Sequence, residues 1–408
     1  MWESIRGGGW LTRERLNAYP LILLAFAAAA IVAMVALTHD RLGPDHQPLG
    51  TDFSQVWVAG LETLRGHPEA PFDIARHIGE QHAEFGEKSA VYGWHYPPYF
   101  LGPAAALAHL PYLQALLVWQ LATLLLYLMV IDAIARNNGL DRARVLITAL
   151  AFPAVLVNLG HGQNGFLTAA LLGGGFLILE RRPALAGALF ALLAFKPQLA
   201  LVLPVALIAG RHWRALASAA GTLALMTAAS LAAFGLESWR AFFHSLAFTR
   251  EAVIEQGAAG FEKIQSVFAA VRLMGGGVST AYAFQTVSTL GALTALIWLW
   301  RSSADKRVKA AATLAATLLT TPYCLDYDMM ALAPAIAFIV ALGLERGFLP
   351  FEKSLLALAF VAPLLARPIA TLVPLPFGAA VMIFLLISTL RHLRNESGAS
   401  PLPAPAPV

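Results

Sequence analysis

The sequence predicts an all-α integral membrane protein that crosses the bilayer about twelve times. Of its 408 residues, 58% are hydrophobic and only 13% are charged, which is about half the charged share of a soluble chain. The apolar runs are long rather than short and alternating, which favours helices over a membrane barrel. This composition excludes an ordinary soluble enzyme, a nucleic-acid-binding domain and a disordered protein. The single cysteine, Cys324, excludes an intramolecular disulfide and a cysteine-ligated metal site.

Apolar segments alternate with short polar turns along the chain. The first segment approaches the ~20 residues that cross the hydrocarbon core and lacks a small-residue cleavage pattern, so a retained span is favoured over a signal peptide. The predicted spans are residues 20–38, 112–133, 144–159, 164–179, 183–195, 198–210, 213–234, 279–300, 308–321, 328–344, 353–366 and 374–390. Two other apolar segments, 97–110 and 264–274, are short and irregular, which predicts interfacial or re-entrant helices.

The distribution of basic residues predicts the orientation of these spans. Most arginines and lysines fall in the turns that share a side with the N-terminus, so the positive-inside rule places both ends of the chain in the cytoplasm. Residues 1–19 then form a cytoplasmic N-terminus and residues 20–391 a polytopic membrane domain. The Pro-rich segment 392–408 is predicted to be a disordered cytoplasmic tail.

Most of the unusual polar residues fall on the opposite, external side. Its two largest loops are 39–96 and 235–278, and the first is predicted to carry short surface helices at about 53–65 and 74–85. Because ionisable groups at membrane depth are costly and usually mark a site, this clustering predicts that the function lies on the external face.

Asp52 follows the first span directly, in the segment TDFSQVWVAG. A carboxylate here suits a general base at the membrane surface. The alternative is a helix N-cap, since Thr51 or Asp52 precedes a predicted helix.

Two polar motifs interrupt the apolar sequence later in the chain. His95 and Tyr96 begin HYPPYF, where aromatic side chains suit either ligand contact or a place in the interfacial belt. The motif HGQNG supplies His161, Gln163 and Asn164, which suit either a polar ligand or a tight turn capped by Asn164.

Charged residues in the remaining external segments suit an anionic or metal-containing ligand. Lys196, in FKPQ, lies between two apolar runs and must either snorkel or pair with an anion. Asp326 and Asp328, in TPYCLDYD, could form a metal pair, although this spacing is weak evidence and helix capping explains one of them. Arg250 and Arg272 could steer a phosphate or simply form a solvated loop face.

Five segments occur in an order that resembles glycosyltransferase family 87 of the GT-C superfamily. They are TDFSQVWVAG, YPPYFLGPAAALAHLP, GQNG, LAGALFALLAFKPQ and TPYCLDYD. The resemblance covers roughly residues 20–390.

The resemblance implies a GT-C-like membrane glycosyltransferase of the bacterial inner membrane, with a periplasmic active site. Its reaction would transfer a hexose, with mannose as the expected sugar, from a polyprenyl-phosphate donor to a lipid or glycan acceptor in one inverting displacement. Asp52 would be the general base and Lys196 would contact the donor phosphate. From their own place in the second external loop, Arg250 and Arg272 are expected to be further phosphate ligands. The expected substrate-binding residues are His95, Tyr96, His161, Gln163, Asn164, Gln198, Tyr323, Asp326, Tyr327 and Asp328.

No metal or cofactor is expected, because basic residues can neutralise one phosphate, and no nucleic-acid partner is expected. A transporter or flippase of a lipid-linked or polar solute is the main alternative. It predicts internal repeats and charged residues near the middle of spans, and the sequence shows neither clearly. A scaffold protein is the third hypothesis, and it leaves the grouping of Asp52, Lys196 and Asp326 unexplained.

Overall fold

The structure, a computed structural model, describes residues 1–43 and 46–398, with side chains described as far as Leu393. In these residues helices are joined by turns and loops, and β-structure is limited to three isolated bridges. The α-helices are α1 (Trp2–Gly7), α2 (Arg13–Ala36), α3 (Phe53–Leu64), α4 (Ile74–Phe85), α5 (Leu101–Ala108), α6 (Tyr112–Asn137), α7 (Arg142–Leu150), α8 (Pro153–His161), α9 (Gly165–Ile178), α10 (Pro183–Leu192), α11 (Pro197–Ala200), α12 (Val202–Ala209), α13 (Trp213–Phe248), α14 (Val267–Leu273), α15 (Val278–Arg301), α16 (Lys306–Leu319), α17 (Leu332–Arg346), α18 (Glu352–Leu372) and α19 (Phe377–Gly398). The all-helical prediction is confirmed for the described part of the chain.

Six helical segments are long and apolar enough to cross a membrane, and they contain α2, α6, α13, α15, α17 and α18. Helices α7 and α8 make a seventh if they count as one span, although they are bent by 49° at their junction. Pro153 opens α8 at this bend, and proline disfavours helical geometry in the residue before it. These spans make the chain a multi-pass membrane protein.

The other five predicted spans coincide with helices that are too short or not apolar enough to count as membrane-crossing by the same measure. They coincide with α9, α10, the pair α11 and α12, α16, and α19. Every predicted span is therefore helical, whereas the count of twelve and the predicted orientation stay predictions. Helix α16 lies at the centre of the fold, where its residues from Ala310 to Leu319 are buried between neighbouring helices.

The first of the two predicted external loops contains the two predicted helices, α3 and α4. Helix α3 is buried along most of its length and packs on α5, so closely that a Cβ at Gly60 would lie 2.2 Å from the Ala104 carbonyl oxygen. A buried contact of 2.7 Å between His77 Nδ1 and Glu62 Oε2 joins α4 to α3. This packing fixes the position of the residue that precedes α3, which is Asp52.

The second predicted loop, 235–278, begins with helix rather than irregular chain. The predicted end of its span at residue 234 coincides with a break at Gly235, which has φ 74° and ψ 169°. The helix then resumes as far as Phe248, and a π-helical turn spans Thr249–Glu255. Ser238 and Phe242 are buried here, so packing against the protein explains why this segment stays helical.

The predicted tail begins within α19, because this helix continues to Gly398. Residues 399–408 of that prediction lie outside the described residues. At the other end, the Trp10 indole donates to Ser354 Oγ at 2.7 Å, which fastens the N-terminal segment to α18.

Candidate active site

Three segments that are distant in sequence meet around Asp52. Gly162 ends α8 with φ 62°, and a Cβ there would lie 2.6 Å from the Phe53 Cβ. A Cβ at Gly165 would lie 2.6 Å from the carbonyl oxygen of Tyr327. These two glycines therefore let the HGQNG turn touch the start of α3 on one side and the TPYCLDYD segment on the other.

The Asp52 carboxylate points to the HGQNG turn rather than to its own helix. Asp52 occupies the N-cap position of α3, as the helix-cap alternative expects, but its side chain makes no capping hydrogen bond. Instead the Gln163 amide donates from Nε2 to Asp52 Oδ2 at 2.8 Å. Among the described residues this is the side-chain hydrogen bond that Asp52 makes, and it leaves Oδ1 without a partner.

Tyr96 and Asn164 surround the other end of the Gln163 amide. The Tyr96 hydroxyl donates to Gln163 Oε1 at 3.1 Å and accepts from Asn164 Nδ2 at 2.9 Å. Asn164 occupies the N-cap position of α9, as the turn alternative expects, but its side chain makes no capping hydrogen bond to α9. Gln163 and Asn164 are only 4% and 2% exposed, so they form a buried layer beneath the half-buried Asp52.

His161 and Tyr327 continue the site toward Lys196. The His161 Nδ1 lies 2.8 Å from Thr51 Oγ1, and its ring meets the Tyr327 ring at a centroid distance of 5.9 Å. The Lys196 ammonium lies 4.7 Å from the centroid of the same tyrosine ring, a cation–π distance. Through these contacts Lys196 is linked to Thr51, the neighbour of Asp52 in the sequence.

Lys196 pairs with a carboxylate and does not snorkel to the surface. Its Nζ lies 2.5 Å from Asp328 Oδ1, and the two side chains are 5% and 1% exposed. The other oxygen of Asp328 accepts from the Leu325 amide at 3.0 Å, so this aspartate also caps its turn. Lys196 thus meets an anion, as its sequence context predicts, although that anion belongs to the protein.

Asp326 is used differently from Asp328, although both are buried. It accepts a hydrogen bond from its own neighbour, the Tyr327 amide, at 2.9 Å. The sequence assigned Arg367 to an external loop, whereas it lies within α18. In the described residues no three His, Cys, Asp or Glu side chains are placed to share a metal ion.

Three tyrosines close to Asp52 are held neutral. Burial, followed by the charge of Asp52, raises the pKa of Tyr92 to about 12. The same two causes raise the pKa of Tyr96 and of Tyr323 above the usual range for a phenol. A tyrosine hydroxyl is already protonated at neutral pH, and these raised pKa values keep the three hydroxyl groups as hydrogen-bond donors at alkaline pH as well.

The remaining predicted residues lie away from the contacts of Asp52. His95 Nδ1 lies 2.9 Å from Thr249 Oγ1, which ties the loop to the helical segment after Gly235. Gln198 lies in α11, two residues beyond Lys196, and joins none of the hydrogen bonds described above. Arg250 pairs with Glu255 at 3.5 Å.

Arg272 is also engaged near Glu255. Its guanidinium donates to the carbonyl oxygens of Gly276 at 3.0 Å and Glu255 at 3.2 Å, and it lies 5.2 Å from the Phe261 ring centroid. Both arginines therefore have protein partners, and neither contacts Lys196 or Asp52 in the hydrogen bonds and ion pairs of the described residues.

The model of glycosyltransferase family 87 matches residues 94–322, which is more than half of the chain. The chain belongs to glycosyltransferase family 87. The matched region contains Tyr96, Gln163, Asn164 and Lys196, and it lies between Asp52 and Asp326 in the sequence. No curated protein and no solved structure matches the chain.

Membership of glycosyltransferase family 87 agrees with the helical membrane architecture. The protein is a membrane glycosyltransferase, and a glycosyltransferase needs both a sugar donor and an acceptor. The family match confirms the resemblance to this family, and the matched residues contain three of the five segments in full, whereas TDFSQVWVAG lies outside them.

Proposed function

We propose that this protein transfers a hexose from a polyprenyl-phosphate donor to a lipid or glycan acceptor on the periplasmic face of the bacterial inner membrane. Mannose is the expected sugar by family resemblance. The observation that carries the proposal is the Asp52 carboxylate, with one oxygen held by Gln163 and the other free of partners among the described residues. A carboxylate fixed at one oxygen can accept a proton at the other, as general-base catalysis requires.

The proposed reaction is a single displacement. The acceptor hydroxyl oxygen attacks the anomeric carbon while the bond from that carbon to the phosphate oxygen breaks. The electron pair of the breaking bond leaves with the phosphate, and the acceptor proton moves to Asp52 Oδ1. Attack opposite to the leaving group inverts the anomeric carbon. Because a lipid phosphate is a good leaving group, a nearby cation suffices to stabilise it.

Lys196 is the cation that we propose for the donor phosphate. Its ammonium is buried and held between Asp328 and the Tyr327 ring, so an arriving phosphate oxygen would share it with Asp328. Arg250, whose side chain is 67% exposed, and Arg272 keep their proposed role in steering the phosphate. The predicted substrate residues His161, Tyr323 and Asp326 are proposed to face the sugar or the acceptor.

A groove beside α2 supports a lipid-linked substrate. Its volume of about 650 Å³ is in the range of small-molecule sites. The residues that line it are Val35, Thr38, Asp40, Arg41, Leu49 and Leu113. Valine and leucine side chains suit a hydrocarbon chain, and Leu49 lies three residues before Asp52. The Tyr112 hydroxyl holds the Leu49 carbonyl at 2.6 Å, which fixes this end of the groove.

A transfer assay with purified protein tests the proposal. The donor is radiolabelled polyprenyl-phosphate mannose, the acceptor is a membrane lipid extract, and products are identified by mass spectrometry. Asp52→Asn removes the base and is expected to lower turnover at least ~100-fold while the protein stays folded. Glu87→Gln is the matched control, because Glu87 is an acid of the same loop with a 91% exposed side chain.

Two results would overturn parts of the proposal. Full turnover in Asp52→Asn would remove Asp52 as the base. A wild-type protein that transfers no sugar from any polyprenyl-phosphate donor, but moves a lipid-linked solute across vesicles, would favour the transporter hypothesis instead.

A further inference from the structure

A buried hydrogen-bond chain made of Asn164, Tyr96, Gln163 and Asp52 leads to the proposed base. Its donors all point the same way, from Asn164 Nδ2 to Tyr96, from Tyr96 to Gln163 Oε1, and from Gln163 Nε2 to Asp52. The backbone supports this direction, because the Asn164 amide also donates to Gln163 Oε1 at 3.2 Å. A backbone amide can only donate, which identifies the Gln163 atom that faces Tyr96 as its oxygen and the atom that faces Asp52 as its nitrogen.

From this geometry we infer that Tyr96 is a positioning residue for Asp52 and acts through Gln163. The inference rests on the proposed role of Asp52 as base. If the amide of Gln163 rotated, its oxygen would face the carboxylate, and two acceptors would oppose each other. The Tyr96 hydroxyl disfavours that rotation because it needs an acceptor in front of it.

The surroundings of Tyr96 fit this role better than substrate contact. Its side chain is only 6% exposed, and its single O–H donor is already used by Gln163. The ring packs against Trp94 and Phe100, with centroid distances of 5.1 and 4.7 Å. Tyr96 therefore has a fixed orientation and no donor left for a sugar.

Kinetics of Tyr96→Phe test the inference. Loss of one neutral hydrogen bond is expected to lower kcat about fivefold, with the KM for the donor unchanged. Tyr99→Phe is the matched control, because its hydroxyl donates instead to the Ala194 carbonyl at 3.0 Å, and it should keep wild-type kcat. Gln163→Met should lower kcat further, and the double variant Tyr96→Phe with Gln163→Met should lose no more than Gln163→Met alone.

An infrared measurement without substrate separates this inference from the proposed function. The carboxylate stretching band of Asp52 is assigned by subtracting the spectrum of Asp52→Asn. It is expected to shift in both Gln163→Met and Tyr96→Phe, and to stay in place in Tyr99→Phe. Such a shift in a protein that transfers no sugar would support the positioning of Asp52 and overturn the proposed reaction.

Other outcomes overturn the positioning role itself. A raised donor KM with unchanged kcat in Tyr96→Phe would make Tyr96 a substrate contact. An unmoved Asp52 band in Tyr96→Phe, or losses that add fully in the double variant, would show that Tyr96 does not act through Gln163.

Discussion

Replacing Lys196 by methionine should destabilise the protein through the carboxylate that it leaves behind. Asp328 is 1% exposed and its Oδ1 lies 2.5 Å from the Lys196 ammonium. Removing one partner of a buried ion pair typically costs 3–5 kcal/mol, because the other charge stays buried without compensation. We therefore expect Lys196→Met to lower the free energy of unfolding by about 3–5 kcal/mol.

The double variant Lys196→Met with Asp328→Asn should recover most of this loss. It removes both charges, and replacing a whole buried pair is often nearly neutral. The asparagine oxygen can still accept from the Leu325 amide, which Asp328 holds at 3.0 Å. Stability is expected to return to within about 1 kcal/mol of the wild type, while donor affinity stays low because the cation is missing.

Denaturant titration of the detergent-solubilised protein, followed by tryptophan fluorescence, measures the stability of both variants. The exposed Lys88 supplies the control, since Lys88→Met should change stability by no more than ~0.5 kcal/mol. If the single and double variants were equally unstable, the uncompensated charge of Asp328 would not be the cause. If the double variant kept the donor KM of the wild type, Lys196 would have no part in phosphate binding.

Three further predictions concern the turn, pH and metal. Gly162→Ala should lower stability and turnover, because the new Cβ would lie 2.6 Å from the Phe53 Cβ at a φ of 62°. Gly160→Ala is the control and should be tolerated, because the space around Gly160 is open. Thermal unfolding and transfer assays compare the two variants, and equal effects would contradict the close approach at Gly162. Burial, and then the charge of His77, lowers the pKa of His95 to about 4. As pH drops, the unfolded chain therefore takes up this proton before the folded protein does, and stability should fall between about pH 6.5 and pH 4. Melting temperatures measured across this range test the prediction, and the same fall in His95→Asn would refute it. Transfer activity should survive EDTA, and its loss with recovery on adding Mg²⁺ or Mn²⁺ would show that a metal is needed.

The sequence predicted helix well because apolar runs longer than a few turns leave the backbone no other way to satisfy its hydrogen bonds in lipid. It could not predict the 49° bend between α7 and α8, since proline is compatible both with a helix start and with a kink within one span. Nor could it show that the helix after Gly235 continues, because burial of Phe242 against Phe72 is a contact between distant segments.

The sequence predicted which residues belong to the candidate site but not which of their side chains contact one another. Gln163 and Asn164 were expected to bind substrate, and the structure places them on Asp52 and Tyr96. Gln163 lies 111 positions from Asp52, and Lys196 lies 132 positions from Asp328. No local sequence pattern indicates hydrogen bonds or ion pairs between residues so far apart in the chain.

Asp52 lies between a tightly packed helix, α3, and a preceding chain segment that borders an open groove, and these two parts of the protein differ in how well they can tolerate substitutions. Helix α3 has nine of its twelve residues buried, and the glycine at position 60 leaves no room between α3 and α5. Any substitution that moves this helix also moves Asp52, the proposed base. The chain before it, around Thr38 and Asp40, borders the open groove and is free of that constraint. Substitutions at the groove margin can therefore alter the fit of the proposed lipid-linked substrate without moving the proposed base.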